Sequence, residues 1–294
     1  MILTQRSLLK PPLKHRCFRR WASTSNDSPI NLSRIAYRIH LMKETYEGVE
    51  IVETKPIEGE GFIVIEGFPD VGLVGSIAAS FIADRLGMKE VGYVDVEALP
   101  PIISVRDGKI LELIRIYRKD NLLAILSDVP VPASIVKPFS RELMNWIQSK
   151  KPKLIISLTG IPEPNRLNID KPKVYVLASN AELAQKLYEA TGIDRFKDGF
   201  IAGIKGMLLK EGVRRGIDTI LISAQSHFNY PDPGSAAEVV KYVSKILQIE
   251  LDVKPLLESA EELKLKLRDL MRRTSQMMQG VQKSRELERP PVYL

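Results

Sequence analysis

From residue 62 onward, short apolar runs alternate with longer stretches of helical spacing. Phe62-Ile63-Val64-Ile65 is a β-rich run. The turn Gly67 to Gly72 follows, then helical spacing from Leu73 to Leu86, which Gly87 closes. Val91 to Val96 reads as the next strand. Ile102 to Val105 and Ile110 to Tyr117 flank Arg106-Asp107-Gly108-Lys109. Asp-Gly between β-rich runs predicts a hairpin, because both residues tolerate positive φ. Leu122 to Leu126 is a further strand and Ser134 to Gln148 a helix. Leu154 to Leu158 has the composition of a central strand, and Val174 to Leu177 of another. Asn180 is placed to cap a helix over Ala181 to Ala190. Phe200 to Gly212 is helical, with Gly203 and Gly206 marking close packing. Ile217 to Ala224 is strand, and Ala236 to Leu247 helix. The alternation predicts an α/β fold. It is an αβα sandwich whose sheet is mostly parallel, with one antiparallel hairpin insertion.

The pattern changes after Lys254. Leu256, Ala260, Leu263, Leu267, Leu270, Thr274, Met277 and Val281 recur at spacings of four and three, an a/d seam flanked by charge. Two readings fit this long amphipathic helix. It packs back on its own domain, or it pairs with another subunit through Leu256, Leu263, Leu267, Leu270 and Met277 and builds a homo-oligomer.

Charge sharpens the division of the chain. Residues 1–41 carry eight Lys or Arg against Asp27 alone, so this leader accounts for the whole net charge of +7. The body balances 35 bases with 35 acids and has no excess with which to bind nucleic acid by counterion release. The leader is Arg-rich, Ser-rich and acid-poor, the composition of a transit peptide. It also reads as a disordered, non-native extension of a body that starts at Met42, and this second reading is preferred. No run approaches the roughly 18 apolar residues of a membrane helix, so no membrane partner is expected. The only cysteine, Cys17, lies in the leader, and the body has one histidine, His227. That leaves the body without disulfides, Cys-based metal sites or a thiol nucleophile, and no metal or other cofactor is expected.

Three polar loops end predicted strands. Gly67, Asp70, Gly72 and Gly75 occupy the first strand-to-helix turn, where phosphates often bind. The spacing matches neither the P-loop nor the dinucleotide fingerprint, so a turn that brings helix close to strand is the simpler reading. Glu163 and Arg166 follow the central strand. His227, Asn229 and Asp232 precede the last domain helix, with His227 and Asp232 a candidate acid–base pair or Asp232 a helix cap. All could meet at the carboxyl edge of the sheet, the usual crevice of open α/β folds. A small-ligand or nucleotide-binding enzyme using the Gly67–Gly75 turn and the His227 loop is therefore the alternative functional reading. No nucleophile, base and orienting group can be assembled from these residues.

The chain ends Pro290-Pro291-Val292-Tyr293-Leu294. The prolines favour an extended approach. A buried ring, a phenol and a terminal carboxylate suit a socket. Glu66-Gly67-Phe68-Pro69-Asp70-Val71-Gly72-Leu73-Val74-Gly75, then Thr159-Gly160-Ile161-Pro162, then the His227–Ser235 loop resemble, in that order, archaeal members of the proteasome assembly chaperone family. The branch is the one named for the second eukaryotic chaperone, and the resemblance covers roughly Val49 to Leu251. It implies a fold similar to purine nucleoside phosphorylases, a cytoplasmic non-enzyme, oligomerisation, and binding to α subunits of the proteasome core particle. It also implies that Val292, Tyr293 and Leu294 form a hydrophobic-tyrosine-X docking tail whose carboxylate meets a pocket lysine. The expected organisation is a leader over 1–41, an α/β chaperone-like domain over 42–252, a heptad-patterned helix over 253–284 and a flexible docking tail over 285–294.

Overall fold

Along the central strands, alternate residues bury on opposite sides, and each side requires its own layer of helices. The computed structural model describes residues 44–46, 48–260, 262, 265, 268, 270–273 and 276. Strands β1 (Glu44–Tyr46) and β2 (Val49–Glu53) precede β3 (Phe62–Gly67), a 3-10 turn at Val71–Leu73 and helix α1 (Val74–Arg85). Next come β4 (Lys89–Val96), β5 (Ser104–Arg106), β6 (Lys109–Leu111), β7 (Ile114–Lys119) and β8 (Leu122–Ser127). Helix α2 (Val136–Ser149) leads to β9 (Pro152–Pro162), a second 3-10 turn at Arg166–Asn168 and β10 (Val174–Ala178). Helix α3 (Ala181–Thr191), β11 (Asp194–Arg195), α4 (Gly203–Arg215), β12 (Thr219–Ser226), α5 (Pro233–Leu247) and α6 (Lys254–Glu258) complete the order.

Among the described residues ten strands form one sheet in the order β1-β2-β4-β7-β8-β3-β9-β12-β10-β11. Ile65 and Ile156 look toward α1 and α5, in a core completed by Ile77, Ile82 and Val240. Phe62, Val64 and Ile155 look the other way, toward Phe139 and Leu143 of α2 and Leu208 of α4. The αβα sandwich is thus present. Its sheet is mixed, which corrects the mostly parallel expectation. Only β8-β3-β9-β12 and the short β10–β11 pair are parallel, whereas β1-β2-β4-β7-β8 and β10–β12 are antiparallel. The physical reason is loop length. Strands β7 and β8 are joined through Asp120-Asn121, with Asp120 at φ 50°, and a two-residue link permits only antiparallel pairing.

The Asp107-Gly108 hairpin forms as expected, with φ of 50° and 72° at its two turn residues. Its second run is split, however. Lys109–Leu111 closes a separate two-stranded sheet with β5, and Ile114–Lys119 returns to the main sheet. Asn180 caps α3 by accepting from the Leu183 amide at 2.8 Å. Helix α4 begins later than Phe200 because Gly203 sits at φ 72°, outside helical space.

The candidate seam enters the described residues only in part. Leu256 is buried and Leu270 half-buried against the α1–α5 core, beside buried Met271. Leu256 is therefore satisfied within its own domain rather than offered to another subunit. Leu263, Leu267 and Met277, the tail Val292-Tyr293-Leu294 and the leader 1–41 lie outside the described residues. Among the described residues no helix is long and apolar enough to cross a membrane.

Candidate functional site at the carboxyl edge

The parallel quartet β8-β3-β9-β12 directs four strand ends toward one edge. Loops leaving three of these strands carry the residues singled out from the sequence. Two layers of polar contacts join them there.

The inner layer is a buried charge cluster under the start of α4. Glu66 ends an otherwise apolar strand and is fully buried. A carboxylate in that position needs a partner. Lys205, on the first turns of α4, supplies it. Its Nζ lies 2.7 Å from Glu66 Oε1, 3.1 Å from the Phe68 carbonyl and 3.8 Å from Asp70 Oδ2. Glu66 Oε1 also accepts the Phe68 amide at 2.7 Å. Asp70 Oδ2 accepts the Thr159 hydroxyl. Burial pushes the Asp70 carboxyl up to about 7, against the opposing pull of Lys205 and the Thr159 hydroxyl. Nearby Glu66 adds to the rise. One cation thus faces two acids, and burial shifts Asp70 toward its neutral form.

The first loop is built for close approach. Gly72 has φ 63°, and a Cβ there would lie 1.9 Å from Ser226 Oγ. A Cβ on Gly75 would lie 2.1 Å from the Leu158 carbonyl of the central strand, and one on Gly67 would lie 2.3 Å from the Ala79 Cβ. All three glycines let the turn and α1 seat directly on the strand ends. The Gly75→Ala variant is expected to lose about 2–3 kcal/mol, because a backbone carbonyl cannot rotate away. Thermal unfolding should show a fall of roughly 5–10 °C.

The outer layer ties the second and third loops together. Arg166, itself buried, grips Asp232 through Nε at 2.8 Å and Nη2 at 3.1 Å, and its Nη1 donates to the Ile169 carbonyl at 2.5 Å. Asp232 caps α5 through the Ser235 amide at 3.0 Å and accepts the His227 backbone amide at 3.2 Å. Burial raises the Asp232 carboxyl, but the Ser235 amide and the Arg166 guanidinium outweigh it and hold the group below the usual range. Gln225 donates to Glu163 Oε2 at 2.8 Å, and the Asp232 amide donates to the Gly72 carbonyl at 2.8 Å.

Asp70, Gly72, Glu163, Arg166 and Asp232 therefore belong to one interlocked edge. His227 meets Asp232 through its backbone amide. Its ring packs edge-on to Tyr230 at 6.3 Å, while Arg166 and backbone amides occupy the carboxylate. Asn229 stands exposed on the loop. Among the described residues no group of three or more His, Cys, Asp or Glu could hold a metal. Sequence reasoning did not single out Glu66 or Lys205 as site residues. The available signal was a lone charge closing an apolar strand and a lysine set between Gly203 and Gly206.

The same span that carries this edge matches the PAC2 family over residues 64–271. The chain belongs to the PAC2 family. An uncharacterised protein of Methanocaldococcus jannaschii, MJ0106, is 29% identical over 248 residues, covering 84% of this chain and 99% of that protein. Among solved structures, Pyrococcus furiosus PbaA, described as an archaeal homolog of proteasome-assembly chaperone, aligns with a TM-score of 0.72 and 32% identity. That alignment covers 78% of this chain and 98% of PbaA. Pyrococcus furiosus PbaB, described as an archaeal proteasome activator, aligns with a TM-score of 0.67 over 76% of this chain and 99% of its own. At 23% identity that second likeness speaks to the PAC2 fold alone.

Proposed function

We propose that this chain is a non-catalytic, cytoplasmic PAC2 protein that binds α subunits of the proteasome core particle. It acts as an assembly chaperone or as an activator of the finished particle. The observation that carries the reading is the likeness to PbaA, which extends over 98% of that chain at 32% identity. The docking element is the tail Val292-Tyr293-Leu294, with Val292 in the hydrophobic position, Tyr293 in the ring position and Leu294 supplying the carboxylate. One three-residue tail buries too little to offset the entropy lost on association. A homo-oligomer presenting several tails makes the later contacts intramolecular and raises avidity.

The carboxyl edge supports this reading over a small-ligand enzyme. Arg166 bonds Asp232, Glu163 accepts from Gln225 and from the Asn165 amide, and Lys205 is committed to Glu66. In this reading Gly67, Asp70, Gly72, Gly75 and His227 hold the scaffold rather than a substrate.

The tail is tested by pulldown of purified archaeal core particle with the parent, with Tyr293→Ala and with a variant lacking 292–294. The parent should retain the particle, and both variants should lose it with melting temperature and solution mass unchanged. Equal retention by all three would remove the tail from the account.

A further inference from the structure

The inner layer of the carboxyl edge gathers more buried oxygens than its hydrogen bonds use. Glu66 and Ser157 are neighbours in the β3–β9 register, so their side chains stand on one face of the sheet. That face lies under α4, where Val64 and Ile155 meet Leu208. Thr159, two residues beyond Ser157 on the same strand, shares the face and donates to Asp70 Oδ2. Lys205 reaches in from α4. Glu66 and Ser157 are fully buried, Lys205 is 3% exposed and Asp70 7%.

Hydrogen bonds are unevenly shared in this cluster. Glu66 Oε1 takes both the Lys205 ammonium and the Phe68 amide, each at 2.7 Å. Asp70 Oδ2 takes the Thr159 hydroxyl. Glu66 Oε2, Asp70 Oδ1 and Ser157 Oγ have no hydrogen-bond partner among the described residues. A buried oxygen without a partner is costly, and a native structure keeps one for a reason. Charge points the same way. Lys205 balances one of the two carboxylates, so the cluster carries a net charge of −1 when both are ionised, and a buried charge needs a counter-charge.

We propose that Glu66 Oε2, Asp70 Oδ1 and Ser157 Oγ bind one monovalent alkali cation, sodium or potassium, beneath the start of α4. Two carboxylate oxygens and a hydroxyl are hard donors, which suit a hard cation and repel an anion. One positive charge brings the cluster to neutrality. A divalent ion would overshoot it, and two acids are few for the larger carboxylate set such an ion takes. Water would satisfy the three oxygens and leave the charge. Asp70 stands nearest to solvent, with 10% of its side chain exposed, and gives the ion its way in. Once bound, the ion joins the first loop to β3 and β9 independently of Lys205. This site belongs to the scaffold and stands or falls apart from the docking tail.

The test is thermal unfolding of the full chain at about pH 8 in sodium, potassium or choline chloride at one ionic strength, so that screening is common to all three. At roughly a hundredfold excess of the preferred ion over its dissociation constant, the melting temperature should stand about 5–10 °C above that in choline. Ser157→Ala removes a donor oxygen and no charge. It should lose most of this increment, and its melting temperature in choline should not fall, because the lost hydroxyl had no partner. Crystals grown in rubidium chloride give the direct view, with an anomalous peak expected between the three oxygens. Equal melting temperatures in the three salts overturn the proposal. So does an increment of full size in Ser157→Ala, which would put the ion elsewhere. Rubidium-grown crystals that hold only water between the three oxygens overturn it as well.

Discussion

Lys205→Met is expected to destabilise the domain by about 3–5 kcal/mol, the range for removing one partner of a buried ion pair. Glu66 is fully buried, and Lys205 is the cation paired with it at 2.7 Å. Without that cation, the Glu66 carboxylate keeps only the Phe68 amide, and Asp70 loses the charge that opposes its burial. Chemical denaturation should show the loss as a lower midpoint at unchanged slope. Glu66→Gln combined with Lys205→Met should recover most of it, because two neutral groups leave no buried charge uncompensated. A double variant no better than Lys205→Met would mean that Lys205 acts through packing of its stem. The cluster matters to the fold because it fixes α4 to the first loop from 139 residues away in sequence.

Asp70→Asn should change how stability depends on pH. The folded-state value is about 7 and the ordinary value 3.8, so within that window the folded protein holds a proton that the unfolded chain releases. The unfolded state then binds fewer protons, and stability falls as pH rises. The contribution is fully present below the ordinary value and is lost as pH climbs through about 7. The total is on the order of 4 kcal/mol, at 1.36 kcal/mol per unit. Asparagine mimics the protonated acid and can still accept the Thr159 hydroxyl. Relative to the parent, Asp70→Asn should therefore gain about 2–3 kcal/mol between pH 5 and pH 8. Melting curves across that range read the difference directly. Parallel curves for parent and variant would show that Asp70 is ionised throughout.

The layered architecture was legible because strands and helices of this chain differ in period. Phe62 to Ile65 and Leu154 to Leu158 are apolar on both faces, which only a covered central strand tolerates, and Asn180 and Gly87 punctuate helices as their chemistry requires. Strand direction was not legible. An apolar run such as Leu122 to Leu126 looks alike in parallel and antiparallel neighbours, and the deciding information sat in the two-residue Asp120-Asn121 link. At the site, the glycines and Asp70 announced a tight turn, and Glu163, Arg166 and Asp232 do converge with it. Lys205 could not be tied to Glu66 from sequence. Their contact depends on where α4 packs against the sheet, a tertiary fact with no local periodicity. His227 drew attention as the body's only histidine, a rarity that carries no geometry.

Central to the proposed function is binding of this PAC2 chain to the proteasome core particle. The direct measurement is a titration of purified archaeal core particle with the full chain, followed by surface plasmon resonance. Saturable binding that disappears when residues 292–294 are removed is the predicted result. A full chain that is folded, yet gives no saturable complex across the micromolar range, would contradict it.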